Sequence, residues 1–446
     1  MAHDDETRDD RHSVPGPPQR PRPGLVVVLA AGAPAASVLE VSAKGIEVGR
    51  ATPSGLFEDD DNASRRHARI TRKADAWQVN DLSSRNGTFV DGRPVGGGAS
   101  FSSSALIRIG QSLLWAVDDV QPFLDPELEP KADGAPIVGG MLREAYREIE
   151  LASRAGDTLC LRGESGSGKE LAAQAFHKAR CGAAAEAPFV AVNCAAIPEG
   201  LAERLLFGAR KGAFSGATAD TDGYVQAAHG GTLFLDEIAE LDRLIQAKLL
   251  RVLENHEVLP LGASRPKRVT LAVCTASHKS LREEVAVGRF RQDLYFRIGH
   301  PQVSLPPLRE RVDEIPWFVA RELRAVDARL TPTVALVERC CLRSWPGNVR
   351  ELLREVRQAG HRALRAKALA VRADHLSREA GTPLSANGAS SEKVDAANWS
   401  DDDIRRALAE HAGNVRGTAR SLGMHRNQLR RWIAKQAGAG LDPESE

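Results

Sequence analysis

The chain has 446 residues, with 60 Lys and Arg against 59 Asp and Glu, so its net charge is +1. At about 150 residues per domain this length predicts roughly three domains, and an apolar content of 42% excludes disorder throughout the chain. The balanced charge excludes a protein that coats nucleic acid along its whole length, although it can hide a small basic module. The longest apolar run, residues 25–36, is too short to span a bilayer, so we expect a cytoplasmic protein with no membrane partner.

The N-terminal third of the chain has the pattern of an all-β domain behind a tail. Residues 1–24 are charged and rich in proline, which predicts an extended tail. Residues 25–120 contain short β-like runs such as LVVVL, SVLEV, WQVND and LLWAV, separated by Gly, Asp, Asn and Ser. This spacing predicts a small sandwich. Residues 121–135 hold three prolines and several acids, and they predict a linker.

The remaining two thirds predict an α/β domain followed by helices. Residues 136–305 alternate apolar strands with helix-length segments, which is typical of a parallel sheet. Residues 306–380 have a helical pattern and form the expected lid, and residues 381–399 are a second, small and polar linker. Residues 400–437 predict three helices with a glycine-containing turn, before a tail at 438–446. The predicted fold class is therefore multidomain: all-β, then α/β with a helical lid, then all-α.

A glycine-rich segment follows the strand-like run TLCL and opens a helix-length segment. In that context, glycines let backbone N–H groups surround phosphates, while Lys169 reaches the β and γ oxygens. Position 170 is Glu where the general motif has Ser or Thr, so alone the segment could also be a plain glycine-rich turn. The predicted ATP-binding residues are Gly163, Glu164, Ser165, Gly166, Ser167, Gly168, Lys169 and Glu170.

A second strand-like run, GGTLFL, ends in the acids Asp236 and Glu237. Buried acids need partners, so a pair at a strand end indicates chemistry more than stability. We predict that Asp236 holds Mg²⁺ through water and that Glu237 activates the water that attacks the γ-phosphate of ATP.

With both segments in place, residues 136–376 resemble the bacterial sigma-54-dependent enhancer-binding activators, which are AAA+ ATPases. The phosphate loop of that family reads GESGxGKE, so Glu170 is the residue expected there. The resemblance implies an oligomer, from dimer to hexameric ring, that hydrolyses ATP with Mg²⁺ and remodels sigma-54 RNA polymerase. It also implies that Arg350, in WPGNVREL, contacts the nucleotide of its own subunit.

The same resemblance implies three further functional segments. Asn193, in VNCAAIPE, would hydrogen-bond the catalytic Glu237, and Arg291 and Arg297, in GRFRQDLYFRI, would reach the γ-phosphate of the neighbouring subunit. An arginine delivered in trans is worth about 10³–10⁵ in rate. The first sensor has His278 where the family has Asn. The signature loop that contacts sigma-54, with Ser in place of the usual Thr, comprises Gly212, Ala213, Phe214, Ser215, Gly216 and Ala217.

Residues 25–120 resemble the forkhead-associated (FHA) domain, an eleven-stranded sandwich that binds phosphothreonine through its loops. The segments that carry this resemblance are VGR, SRRHA and SSRNGTFVDG. It implies that Arg50, Ser64 and Arg65 hold the phosphate and that Asn86 holds the peptide backbone, which suits the planar fork of Arg and the hydroxyl of Ser. His67 is predicted to brace the loop. The alternative is a structural sandwich whose phosphate site has decayed.

The C-terminal segment 405–435 has eight Arg and Lys against one acid, Glu410. A turn at residues 422–424 separates two helix-length segments, which is typical of a helix-turn-helix. The segment resembles the Fis-type domain that closes the same activator family, and the alternative is a basic, solvated helical hairpin. The predicted DNA-binding residues are Arg426, Asn427, Gln428, Arg430 and Arg431.

Taken together, the sequence predicts an activator that binds upstream enhancer DNA and uses ATP to remodel sigma-54 RNA polymerase. Its expected regulatory input is a protein that carries phosphothreonine. Two other functions stay open: an FHA-controlled DNA-binding regulator whose AAA+ domain only oligomerises, and an AAA+ remodeller of another client.

Overall fold

The structure is a computed structural model that describes residues 21–73, 76–102, 104–125, 136–182, 187–198 and 200–383, together with residues 405, 408 and 418. The chain divides into two compact units, Met1–Pro383 and Leu384–Glu446, and the fold below is that of the first unit. Most of the two predicted tails, the second linker and the DNA-binding domain lie outside the described residues. Within the described part, every helix is too short or too polar to span a lipid bilayer.

The first domain is a sandwich of two antiparallel sheets, with ten strands among its described residues where the family resemblance implied eleven. One sheet has the order β2-β1-β10-β9-β6-β7 and the other β3-β4-β5-β8. The strands are β1 Gly24–Ala30, β2 Ala33–Glu40, β3 Ile46–Val48, β4 Ala68–Lys73, β5 Ala76–Asp81, β6 Thr88–Val90, β7 Arg93–Pro94, β8 Ala99–Phe101, β9 Ala105–Ile109 and β10 Ser112–Val117.

The core between the sheets follows the two-residue period of a strand. Leu25 and Val27 of β1 point inward and pack with Ile70, Trp77 and Ile107. Each fully buried aliphatic side chain stabilises the fold by about 1.5–3 kcal/mol. Burial of this core therefore stabilises the packing of the two sheets. Residues 121–123 follow the sandwich as a 3-10 turn, and its last side chain, Phe123, is 3% exposed.

The second domain is a five-stranded parallel sheet with the order β12-β13-β16-β11-β17, as the alternating pattern predicted. Its strands are β11 Thr158–Arg162, β12 Phe189–Asn193, β13 Thr232–Asp236, β16 Ala272–Ser277 and β17 Gln302–Ser304; a separate hairpin pairs β14 Glu257–Val258 with β15 Lys267–Arg268. Its helices are α1 Gly140–Ala155, α2 Lys169–Cys181, α3 Ala202–Phe207, α4 Tyr224–Ala227, α5 Arg243–Asn255, α6 Leu281–Ala286 and α7 Gln292–Ile298.

The parallel register brings the predicted chemistry to one edge of this sheet. β11 lies beside β16, with Arg162 level with Ser277, and β12 lies beside β13, with Asn193 level with Asp236. Because ligands of open α/β sheets bind outside the carboxyl ends of the strands, the segments that follow β11, β13 and β16 meet at the expected place.

The helical lid follows the parallel sheet along the chain. It consists of α8 Ile315–Val326, α9 Val334–Cys341 and α10 Asn348–Arg365, with the short parallel pair β18 Thr331–Pro332 and β19 Ala370–Val371. Thr333 caps α9 by accepting a hydrogen bond from the Leu336 N–H. The lid core contains Trp345, which is fully buried and donates its indole N–H to the Cys340 carbonyl at 2.7 Å.

Candidate functional site

The phosphate loop connects β11 to α2 in a conformation that requires glycine. Gly166 and Gly168 have φ angles of +76° and +104°, which L side chains rarely adopt. A Cβ at Gly166 would also collide with the carbonyl oxygen of Gly347 in the lid. The loop therefore presents backbone N–H groups at the start of α2 and stays in contact with the lid.

Lys169 is held inside this loop. Its side chain is 7% exposed, and Nζ donates to the carbonyl oxygens of Gly163 at 3.1 Å and Glu164 at 3.5 Å. Nζ also lies 3.3 Å from Oε1 of Glu237. The ammonium group and the predicted catalytic base thus share one small space at the sheet edge.

The two acids at the carboxyl end of β13, Asp236 and Glu237, differ in their electrostatics. Burial raises the pKa of Asp236, and Lys169 only partly offsets that effect. Burial would also raise the pKa of Glu237, but a hydrogen bond from His278 and the charge of Lys169 outweigh it and hold that pKa below its ordinary value. Glu237 is therefore ionised near neutral pH, as a general base must be.

His278 is the direct partner of Glu237, which the sequence did not predict. Its Nδ1 lies 2.6 Å from Glu237 Oε2, and because an ionised carboxylate only accepts hydrogen bonds, Nδ1 must carry the proton. The predicted contact from Asn193 stays a prediction: Asn193 lines the same cavity as Glu237, but among the described residues no hydrogen bond joins the two. Asn193 Oδ1 accepts from the Ala195 N–H at 3.0 Å and caps its own turn.

The lid contributes a second set of contacts to the phosphate loop. Arg350 Nη1 donates to Ser165 Oγ at 3.2 Å, which places this predicted residue at the site. Asn348 Nδ2 donates to Glu164 Oε2 at 3.0 Å, and Arg309 forms a two-pronged ion pair with the same carboxylate. That pair lowers the pKa of Glu164. Asn348 and Arg309 were missed, because only the fold brings them to residues about 145 to 185 positions away.

Between the loop and the lid lies a cavity of about 540 Å³. Its polar lining includes the phosphate loop, Asn193 and the two acids. Its lining also includes the mostly apolar side chains of Ile137, Leu142, Tyr146, Phe318, Val349 and Leu353. A cavity that combines an anion-binding loop with apolar side chains suits a nucleoside polyphosphate.

The predicted arginine fingers lie outside this cavity. Arg291 forms a two-pronged pair with Asp293, at 2.6 and 3.0 Å. Arg297 donates to the carbonyl oxygen of Leu253 at 3.1 Å. Both are bonded within their own chain and neither lines the nucleotide cavity of that chain.

The predicted sigma-54 loop lies between α3 and α4 and is closed by its own backbone. The Gly212 N–H donates to the Ala217 carbonyl at 2.9 Å, and the Ala217 N–H donates to the Phe214 carbonyl at 3.0 Å. The Arg204 guanidinium lies 5.1 Å from the centre of the Phe214 ring, within the range of a cation–π contact. The loop is thus a compact turn at this point of the surface.

In the sandwich, the predicted phosphate residues Arg50, Ser64 and Arg65 come together in the loop between β3 and β4. The φ of Gly49 is +154°, and a Cβ there would collide with the Ser64 and Arg65 carbonyls. This close approach lets the Arg50 N–H donate to the Ser64 carbonyl at 3.1 Å. Arg50 Nε is buried and, among the described residues, has no hydrogen-bond partner. An unpartnered buried donor in this loop favours an anionic ligand.

A buried histidine, His67, joins the loop between β3 and β4 to the loop between β5 and β6. His67 Nδ1 accepts from the Ser64 N–H at 3.0 Å, and Nε2 lies 3.1 Å from the Gly87 carbonyl. Asn86 Nδ2 donates to the Asn62 carbonyl at 2.8 Å. His67 therefore braces the loops, as its position in the sequence indicated. The predicted DNA-binding residues, Arg426, Asn427, Gln428, Arg430 and Arg431, lie outside the described residues.

The parallel sheet, the phosphate loop and the lid define a P-loop nucleotide-binding domain of the AAA+ class. Three family models match the chain: the FHA domain over residues 46–110, the sigma-54 interaction domain over 139–304, and the bacterial regulatory protein, Fis family, over 403–435. With these three domains in this order, the chain has the domain architecture of a sigma-54-dependent transcriptional regulator.

Several curated proteins and solved structures are similar to parts of this chain. The hydrogenase transcriptional regulatory protein HoxA of Bradyrhizobium diazoefficiens is 40% identical over 302 residues, which are 64% of this chain and 61% of that protein. The acetoin catabolism regulatory protein of Cupriavidus necator is 49% identical over 212 residues, 46% of this chain and 31% of that protein. A crystal structure of NtrX from Brucella abortus in complex with ATP is 28% identical, with 69% of this chain and 70% of that chain covered and a TM-score of 0.49. The chain spans between 31% and 61% of the length of the curated relatives named here.

Proposed function

We propose that this chain is a cytoplasmic transcription activator that hydrolyses ATP in an oligomeric ring to remodel sigma-54 RNA polymerase bound to a promoter. The observation that carries the proposal is the convergence of Lys169, Glu237 and Arg350 on one cavity, in a domain that also presents the GAFSGA loop. Upstream DNA would be bound by the Fis-type domain, and a phosphothreonine-bearing protein would act through the FHA domain.

The residues at the sheet edge fit ATP with Mg²⁺. Ser167 Oγ is buried and has no hydrogen-bond partner among the described residues, and Asp236 supplies one carboxylate beside the phosphate loop. Mg²⁺ usually takes one or two carboxylates and completes its shell with water and phosphate oxygens. When bound, it would neutralise charge on the β- and γ-phosphate oxygens.

Each of the chain's own residues at this site would then have a separate role in hydrolysis. Lys169 would exchange its contact with Glu237 for the phosphate oxygens, since both are anions that compete for the same ammonium group. Glu237, released from Lys169 and still oriented by His278, would accept a proton from the attacking water. Arg350 would hold the phosphates from the lid, and the arginines of a neighbouring subunit would complete the site.

The sigma-54 contact can be tested with purified sigma-54 and the ATPase trapped with ADP and aluminium fluoride. We expect Phe214→Ala to lose detectable sigma-54 binding while its ATPase rate stays within about twofold of wild type, because the loop lies outside the nucleotide cavity. Leu369→Ala is the matched control, since it truncates an apolar side chain of the lid that is 48% exposed and should bind normally. Full sigma-54 binding by Phe214→Ala would exclude the loop as the contact.

The phosphothreonine input can be tested with two arginines of the same loop, one as the test residue and the other as its control. Arg50→Ala should lower the affinity for a degenerate phosphothreonine peptide library at least tenfold, because it removes a planar charged donor from the phosphate. Arg66→Ala should bind as wild type does, since Arg66 lies on the same loop but is paired with Glu47 at 2.8 Å. Calorimetry against the phosphorylated and unphosphorylated libraries measures both. Equal binding of the two libraries by the wild-type chain would reduce the domain to a structural sandwich.

A further inference from the structure

Strand β1, in the first sheet of the sandwich, is buried on both faces. Val26 and Val28 of β1 alternate with the inward-pointing Leu25 and Val27, yet they are only 1% and 0% exposed. Val26 and Val28 lie on the outer face of the sheet and belong to one apolar cluster with lid residues. These lid residues are Ile315, Phe318, Val319, Leu336 and Val337. β2 packs against α8, and β9 and β10 pack against α9. The sandwich is therefore docked on the lid of the nucleotide-binding domain.

This shared cluster reaches the nucleotide cavity. Phe318 and Ile137 belong to the cluster and also line the cavity. On the sandwich side, Val120 and Phe123 are buried in the same cluster. Phe123 lies so close to the first residue of α1 that a Cβ at Gly140 would collide with its ring. Movement of the sandwich relative to the lid must therefore change the packing at the nucleotide cavity, since close-packed interiors transmit displacement.

A polar connection crosses the same interface. Arg108 of β9 lies opposite Phe89 of β6, with its guanidinium carbon 3.7 Å from the centre of the Phe89 ring. Arg108 Nε donates to Glu338 Oε2 of α9 at 3.0 Å. Glu338 is 7% exposed, and its Oε1 is buried with no hydrogen-bond partner among the described residues. The ion pair with Arg108 is thus the charge compensation that this buried carboxylate receives across the interface.

Phe89 connects this ion pair to the peptide-binding loop. It lies three residues after Asn86, whose side chain now donates to the Asn62 carbonyl. A peptide backbone bound by Asn86 would compete for that donor, so the peptide-bound and peptide-free states differ in contacts at the start of β6. Such a differential contact is what a ligand needs in order to shift a conformational equilibrium.

We propose that the sandwich is a clamp on the lid, in which phosphothreonine binding displaces Phe89, loosens the Arg108–Glu338 pair and lowers the affinity of the cavity for ADP. That phosphothreonine is the signal rests on the proposed function. The coupling of the sandwich to the nucleotide cavity through the lid does not. Because linkage is reciprocal, ADP lowers the affinity for the phosphopeptide by the same factor.

The test measures the dissociation constant of a fluorescent ADP with the full chain. Arg108→Ala should raise that constant about fivefold or more without any peptide, within the usual range of coupling between sites. The charge-swapped double variant, Arg108→Glu with Glu338→Arg, should restore it toward the wild-type value. Arg66→Ala, which breaks an exposed ion pair of the same sandwich, should leave it unchanged. An unchanged constant in Arg108→Ala overturns the clamp, as does a swapped variant that folds but binds ADP no better than Arg108→Glu alone.

A second arm adds the degenerate phosphothreonine peptide library at saturation. The wild-type chain should then show the raised ADP dissociation constant, and Arg108→Ala should bind the library but show no further change. If the wild-type chain binds the library without any change in ADP affinity, the clamp is wrong and the phosphothreonine input stands. If the library does not bind at all, the proposed input is wrong, and the variants without peptide still decide the clamp.

Discussion

Glu237→Gln should bind ATP normally and lose about 10²–10⁴-fold in turnover, the usual range for removal of a general base. The physical reason is that Glu237 is kept ionised at the sheet edge, where His278 and Lys169 outweigh the effect of burial on its pKa. The amide of Gln has nearly the same shape but cannot accept the proton of the attacking water. ATP binding should persist because Lys169, the phosphate loop and the lid are unchanged.

The control for this variant is an acid from the same turn. Glu240 lies three residues later and pairs with Lys279 at 2.6 Å, outside the nucleotide cavity. Glu240→Gln should therefore retain the wild-type rate, measured as phosphate release at saturating ATP. A Glu237→Gln chain that hydrolyses ATP as fast as Glu240→Gln would show that another residue is the base.

Arg291→Ala and Arg297→Ala should each lose about 10³–10⁵-fold in ATPase rate, the range measured for arginines supplied in trans. In their own chain these arginines are bonded to Asp293 and to the Leu253 carbonyl, away from the cavity. Their proposed role thus requires a neighbouring subunit, and the rate per chain should rise with protein concentration.

Mixing separates a trans role from local structural damage. A ring that contains Glu237→Gln and Arg291→Ala chains has some sites with an intact base and an intact arginine from the neighbour, so activity should reappear. Arg289→Ala, two positions before Arg291 and paired with Glu284 at 2.6 Å, is the control and should stay active. Two inactive variants that never complement each other would contradict catalysis across a subunit boundary.

Local sequence patterns predicted much of the fold. Phosphate binding needs glycine at Gly166 and Gly168, and an acid pair after an apolar strand is rare without chemistry, so both segments could be recognised and placed on the parallel sheet. The run LVVVL also indicated burial on both faces of its strand, which we did not predict from it. A strand with one solvated face alternates in polarity, whereas a run that is apolar at every position indicates burial on both faces, and β1 is buried in this way by the lid.

Contacts across long stretches of chain could not be predicted. Arg108 and Glu338 are 230 residues apart, and neither has a local pattern that distinguishes it from other charged residues on a strand or helix. His278 was seen only as a departure from the first sensor, and its position beside Glu237 depends on the register of β16 with β13. The contact of Asn193 with Glu237 was assigned by resemblance, and the sequence did not show that Asn193 Oδ1 also caps its own turn.

The most direct test of the proposed function is the formation of open promoter complexes by sigma-54 RNA polymerase, with this chain and ATP supplied. We predict open complexes with the wild-type chain and ATP, and none with Glu237→Gln, with a non-hydrolysable ATP analogue, or with a polymerase that carries another sigma factor. Open complexes formed by Glu237→Gln, or none formed by a wild-type chain that hydrolyses ATP and binds the promoter's upstream DNA, would contradict the account.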